Sequence, residues 1–82
     1  MKTVRYLRDA QAALRRHGNV ADRLRNAIRE YAANPVAHAN NVTQLVGTSA
    51  KRLRVGDYRI IFEETEAEIV VTRIAPRGSA YD

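Results

Sequence analysis

Apolar positions along the chain follow three successive patterns. Residues Thr3–Tyr6 combine β-branched and aromatic side chains and read as a short first strand. Leu7, Ala10, Ala13 and Leu14 then recur at helical spacing, with Arg8, Arg15 and Arg16 turned away. Gly18 stands where a helix C-terminus favours a left-handed residue, and Asn19 is placed to cap a second helix. Asp22 suits the first turn of that helix. Val20, Leu24, Ala27, Ile28 and Tyr31 form its amphipathic stripe, with Arg23, Arg25, Arg29 and Glu30 off it. Asn34-Pro35 ends the helix, because a residue before proline avoids the α region.

Residues 36–50 carry no strong period. Leu45 and Val46 are expected to anchor this stretch to the core, and Gly47-Thr48-Ser49 reads as a loop. Beyond it the period becomes two. Lys51–Val55 alternates, Gly56-Asp57 turns, residues 58–63 alternate, residues 64–66 turn, and residues 68–74 are rich in β-formers. The order β-α-α-β-β-β predicts an α+β fold, with an N-terminal strand and helical hairpin packed on an antiparallel sheet. A single domain over residues 1–82 is expected from the length.

The β-hairpin register is the most informative part. If Gly56 and Asp57 form a two-residue turn, Val55 faces Tyr58 and Leu53 faces Ile60 on one side of the sheet. The other side then sets Arg54 directly against Arg59, and Arg52 against Ile61. Like charges directly opposite each other are destabilising. An anion bound between them would remove that penalty. A slip of one residue would move the arginines to the core side. Arg77 follows the last strand after Pro76, at the edge of the same arginine face. Tyr81 lies four residues further on, as a candidate for stacking on a base or for tethering the C-terminus.

Charge strengthens the picture. The 82 residues hold 14 Lys and Arg against nine Asp and Glu, a net charge of +5. Twelve of the cations are arginine, the residue suited to bidentate phosphate contacts. A polyanion or an acidic partner is therefore expected. No cysteine is present, which excludes disulfides, thiolate metal sites and cysteine nucleophiles. His17 and His38 are too few for a self-sufficient metal site, so no metal and no cofactor are expected. No apolar run approaches ~18 residues, so no membrane partner is expected. The N-terminal stretch lacks the apolar core of a secretory signal, and a cytoplasmic location is the expectation.

Leu45-x-Gly47, the string Arg52-Leu53-Arg54-Val55-Gly56-Asp57-Tyr58-Arg59-Ile60-Ile61-Phe62, and Arg77-x-x-x-Tyr81 resemble the RelE-type toxins of bacterial toxin–antitoxin pairs. The resemblance covers nearly the whole chain. It implies a metal-independent endoribonuclease that cuts messenger RNA in the ribosomal A site. In that reaction the ribose 2′-hydroxyl attacks the adjacent phosphate. By position, Arg59 would hold the scissile phosphate, and Arg77 would stabilise the transition state or protonate the leaving oxygen. Tyr81 would orient a base, while Arg52 and Arg54, with Lys51 nearby, would grip the RNA backbone. The family's better-studied members carry lysines on this strand. Here Arg52 falls at one such position and Lys51 is one residue out of phase. Arginine is a poor general base, and His38 is another candidate for that role. His17 reads as a helix-end residue interacting with the helix dipole.

The resemblance also implies a cognate antitoxin, and the ribosome and messenger RNA as partners. No segment reads as a DNA-recognition helix, so DNA would be met only through the antitoxin. The alternative within the same superfamily is a ParE-like toxin that inhibits DNA gyrase by binding and cuts nothing. A third reading is a basic RNA-binding module without toxicity.

Overall fold

A computed structural model describes residues 1–77 of the chain. Strand β1 (Thr3–Tyr6) leads into helix α1 (Arg8–Arg16) and helix α2 (Ala21–Ala33). A 3₁₀ helix (Val36–Asn41) follows, then strands β2 (Val42–Gln44), β3 (Lys51–Val55), β4 (Tyr58–Glu64) and β5 (Glu68–Pro76). The sheet order is β1-β5-β4-β3-β2. The three pairings among β2 to β5 are antiparallel, and β1 joins β5 in parallel. Both helices cover one face of this sheet. The α+β architecture is the expected one, with one strand more than the sequence pattern predicts.

The two helical stripes supply one half of the core. Ala10, Ala13 and Leu14 of α1, and Leu24, Ile28, Tyr31 and Ala32 of α2, are buried against Leu53, Ile60, Phe62, Ile69, Val71 and Ile74 of the sheet. Phe62, Ile69 and Val71 have no exposed surface. Each such large apolar side chain contributes about 1.5–3 kcal/mol relative to exposure. Small residues on α1 let the helix lie close to the sheet. The Tyr31 and Phe62 rings meet at a centroid distance of 5.3 Å across that interface.

Four local expectations are corrected. Leu7 precedes α1 and is exposed, because its amide continues the β1 ladder by donating to the Val71 carbonyl at 2.9 Å. Gly18 does not adopt a positive φ; α1 ends at His17, whose amide donates to the Ala13 carbonyl. Val20, not Asn19, occupies the N-cap of α2, and no side chain caps it. Val46 is fully exposed, Leu45 is half-buried, and neither belongs to the core. Their loop is held by polar bonds instead. The Leu45 amide donates to the Ala50 carbonyl, and the Gln44 amide group donates to the Thr48 and Ala50 carbonyls.

The β3–β4 hairpin has the expected register: Val55 opposite Tyr58, Arg54 opposite Arg59, Leu53 opposite Ile60, Arg52 opposite Ile61. Gly56 supplies the positive φ, +57°, at the first central position of the turn. That placement suits a type II′ hairpin turn, whose twist matches the flanking strands. Between β4 and β5 the register shifts. Ile61 faces Arg73 and Phe62 faces Val71, so Thr72 is an extra residue on β5. This β-bulge reverses the alternation of β5. Before it Ile69 and Val71 are buried in the core, and after it Ile74 takes that position.

Candidate nucleic-acid interface

The face of the sheet away from the helices is built by the other half of each alternation. Arg52 and Arg54 of β3 stand on it, as do Arg59 and Ile61 of β4. Arg73 and Ala75 of β5 lie opposite Ile61 and Arg59, so they share it. The Thr72 bulge is the reason. Without the extra residue, Arg73 would continue the Ile69–Val71 phase into the core side. Bulges commonly re-aim a side chain in this way beside a functional site. The sequence pattern did not single out Arg73, because a bulge leaves no mark in the alternation of a strand buried on both flanks of the irregularity.

Arg52, Arg54 and Arg59 converge with Asn40, Asn41 and Thr43 around a recess of about 130 Å³. That is space for roughly four waters at ~30 Å³ each, comparable with one tetrahedral anion. The 3₁₀ helix and β2 thus supply one wall, from the stretch whose sequence shows no period. Arg59 is buried, with 8% of its surface exposed, and its Nε and Nη1 atoms are out of solvent contact. Arg54 is exposed and stands directly opposite. Cβ atoms of directly opposed residues lie about 5 Å apart, so the pair sets two cationic side chains on adjacent positions of one face. Among the described residues, no carboxylate, lysine or histidine lines the recess. The Asn and Thr groups add neutral hydrogen-bonding partners for sugar or phosphate oxygens.

Arg77 is exposed just beyond β5, and its amide donates to the Asp57 carbonyl at 2.6 Å. This bond ties the exit of β5 to the β3–β4 turn. Tyr81 lies outside the described residues. Lys51 is not brought to this face. It pairs with Phe62 in the register and projects to the helix side, where its Nζ donates to Glu64 Oε1 at 2.9 Å. The expectation that Lys51 lies beside the arginines is corrected by strand alternation, since neighbours in a strand point to opposite faces. His38 lies half-buried on the 3₁₀ helix and does not line the recess. His17 meets Tyr58, its Nδ1 lying 3.2 Å from the phenol oxygen with the rings edge to face.

On the helix side, Glu64 gathers Lys51, Lys2 and Tyr31. Lys2 Nζ lies 3.1 Å from Oε2, and the Tyr31 hydroxyl donates to Oε1 at 2.6 Å. Burial alone would raise the Glu64 pKa, but hydrogen bonds from Lys51, Tyr31 and Lys2 outweigh it and hold the carboxyl at about 2. Burial, then the bond to Glu64 and its charge, push the Tyr31 phenol up.

Among the described residues no cluster of three or more His, Cys, Asp or Glu is placed to hold a metal. Nor is any helix there long and apolar enough to cross a membrane.

Known proteins share this fold. The family model described as the ParE toxin of the type II toxin–antitoxin system, parDE, matches residues 4–81. Among curated proteins there is no match. The chain is similar in structure to one from the archaeal RelE–RelB complex of Pyrococcus horikoshii, with a TM-score of 0.76 and 26% identity over 96% of this chain and 98% of that one. It is similar to a chain of the RelB–RelE antitoxin–toxin complex of Methanococcus jannaschii, with a TM-score of 0.71 and 25% identity over 95% of each chain. The RelBE2 toxin–antitoxin complex of Mycobacterium tuberculosis shares the fold, with a TM-score of 0.63 and 21% identity over 93% of this chain and 98% of that one. With its helical hairpin on a five-stranded sheet and a family match over almost its full length, the chain belongs to the ParE toxin family of type II toxin–antitoxin systems, within the RelE/ParE superfamily.

Proposed function

We propose that this toxin is an endoribonuclease that cuts messenger RNA on the ribosome. The observation that supports it best is the convergence of Arg52, Arg54 and Arg59 in a recess that no described carboxylate lines. The reaction moves one electron pair from O2′ to phosphorus. The P–O5′ bond breaks, leaving a 2′,3′-cyclic phosphate and a 5′-hydroxyl. Charge accumulates on the phosphoryl oxygens and on O5′. Arg59 sits in the recess to hold the scissile phosphate, and Arg54 across from it shares that load. Arg52 grips the neighbouring backbone. Arg77 supplies positive charge to the leaving oxygen, and Tyr81 orients a base. Preorganised cations at the points of developing charge are a large catalytic term. Arginine stays protonated up to pH ~12, so the O2′ proton leaves to water rather than to an arginine of the recess, and O5′ takes its proton from water.

The same reading includes a neutralising antitoxin, as in the RelE–RelB neighbours. Two recesses away from the arginine face, which share Tyr6 and Arg25 in their lining, suit it. Arg25 and Arg29 line one with Val4 and Ile28, and Arg15 and Arg25 line the other with Leu14. An acidic amphipathic segment complements both.

A second reading is the ParE-like inhibitor that binds DNA gyrase without cutting RNA. Two observations favour it: the family model is that of the ParE toxin, and among the described residues no conventional general base lines the recess. A cell-free translation reaction separates the two. Codon-phased cleavage mapped by primer extension, present only with ribosomes and lost in Arg59→Ala, is the expected result. Intact messenger RNA with a folded, toxic protein would transfer the assignment to gyrase, to be tested by supercoiling inhibition.

A further inference from the structure

Arg73 belongs to two surfaces at once. It stands on the arginine face, two residues from Ala75, which lies opposite Arg59. It also lines a second recess, of about 390 Å³, at the outer edge of β5. Asp9, Arg16 and His17 form one wall of this recess, from α1 and its C-terminal cap; Arg73, Ala75 and Pro76 form the other. The recess exists because β1 is short. Its pairing with β5 stops at Val71, and no described strand covers the outer side of β5 beyond that point. Pro76, which has no N–H, suits such an open edge.

Charge runs continuously between the two recesses. Arg54 opposes Arg59 directly, and Arg59 and Arg73 are diagonal neighbours on adjacent strands. Arg73 then meets Arg16 across the edge recess. Strands lie about 4.8 Å apart, so β3 to β5 is about 10 Å, and α1 adds a further helix radius. A single strand of a few nucleotides covers that distance. Asp9 subtracts charge, but it sits seven residues from Arg16, about 10 Å along the helix axis. Arg16 is exposed in the last turn of α1, where the partial negative charge of the helix C-terminus supports the guanidinium and offsets part of its pull on an anion, so Arg73 supplies the second cation that the site needs.

We propose that the edge recess is a second phosphate site, in which Arg16 and Arg73, with His17 beside them, hold the RNA backbone a few nucleotides from the phosphate bound at Arg59. This rests on the endoribonuclease reading and adds to it the direction of the bound strand: across the strands of the sheet, from β2 toward α1. The site binds backbone, so it carries no base preference of its own.

The test uses the whole protein and an uncleavable probe, a fluorescein-labelled hexanucleotide RNA with 2′-O-methyl groups throughout, read by anisotropy at several salt concentrations. Arg16→Ala and Arg73→Ala are each expected to weaken binding about three- to tenfold at moderate salt and to flatten the salt slope by about 0.7, one phosphate contact on a single strand. Arg29→Ala, on the far groove, removes the same charge and is expected to change neither. Arg16 is an exposed helix-end residue, so its removal leaves the fold intact, which circular dichroism checks. Equal loss from Arg16→Ala and Arg29→Ala would reduce the site to diffuse charge and overturn it. Normal binding by Arg16→Ala, with binding lost in Arg59→Ala, would overturn the second site and leave the first standing. A wild-type protein that does not bind the hexanucleotide would bring down both.

Discussion

Lys51 and Arg52 are neighbours in one strand and have opposite surroundings. Lys51 faces the helices and donates to Glu64, which also receives Lys2 and Tyr31. Arg52 faces the other way, into a recess shared with Arg54 and Arg59 and lined by no described carboxylate. On the helix face a cation is compensated within hydrogen-bond distance by an acid of the same fold. On the cleft face Arg54 and Arg59 are set directly opposite each other, an arrangement that the proposed function uses to receive a phosphate. The comparison teaches that charge in this protein is divided by strand parity: one side serves folding, and the proposed function assigns the other to recognition.

The sharpest way to break this division is to exchange the two losses. Arg59→Ala is expected to lower ribosome-dependent cleavage about 10²- to 10³-fold, the scale of removing one preorganised transition-state contact. Its melting temperature should stay within a few degrees of wild type, because Arg59 lies outside the core cluster. Lys51→Ala should do the reverse. Cleavage should stay within a few-fold of wild type, while stability falls by about 1–3 kcal/mol as a buried carboxylate loses one partner. Primer extension and thermal unfolding of the two variants read both quantities. A Lys51→Ala variant as inactive as Arg59→Ala, yet equally stable, would place Lys51 in the chemistry and end the division by parity.

Acid sharpens the helix-side half. The Glu64 carboxyl sits at about 2 in the folded chain against an ordinary value of 4.5. A depressed carboxylate contributes stability above its unfolded pKa and loses it as pH falls through its folded pKa. The window is therefore from about 4.5 down to about 2, and the contribution is on the order of 3 kcal/mol. Glu64→Gln keeps the shape and an acceptor but removes the charge. It should be less stable than wild type by about that amount at neutral pH, with the gap closing as pH falls toward 2. Urea unfolding at pH 7 and at pH 3 measures it. A gap that does not change with pH would mean that shape, not charge, holds Lys2 and Lys51.

Much of this division is legible in the sequence, and where it is not the reason is local. The β3–β4 register follows from alternation and a Gly-Asp turn, so the facing of Arg54 and Arg59 can be read directly. The helical stripes are equally clear, since Leu24, Ile28 and Tyr31 repeat at helical spacing over about two turns. β2 is not legible, because three residues cannot display a period of two against their surroundings. With it go Asn40, Asn41 and Thr43, which wall the recess. Arg73 is hidden by the Thr72 bulge, since one inserted residue reverses the parity that pattern reading assumes. Lys51 is the opposite case: its proximity in sequence to Arg52 suggests a shared role, and alternation separates them. Glu64 gave no signal as a network centre, because Lys2 and Tyr31 reach it only through the β1–β5 pairing and the docking of α2.

The smallest expected effect tests what fixes the register on which the division depends. Gly56 has a φ of +57°, and a Cβ there would lie 2.2 Å from Arg23 Nη2 and 3.0 Å from its Cζ. Gly56→Ala therefore meets two costs. The left-handed backbone costs a non-glycine residue about 1 kcal/mol. The close approach to Arg23 is cheaper, because the end of an exposed, flexible side chain can swing aside. Repeating Gly56→Ala in an Arg23→Ala background separates them, and the cost should persist to within about 0.5 kcal/mol. Cleavage should be unaffected. A slip of one residue would turn Arg54 and Arg59 toward the helices and take Leu53 and Ile60 out of the core, so the core holds the register even when the turn is strained. If Gly56→Ala instead lost activity in step with stability, the turn rather than the core would be setting the arginines opposite each other.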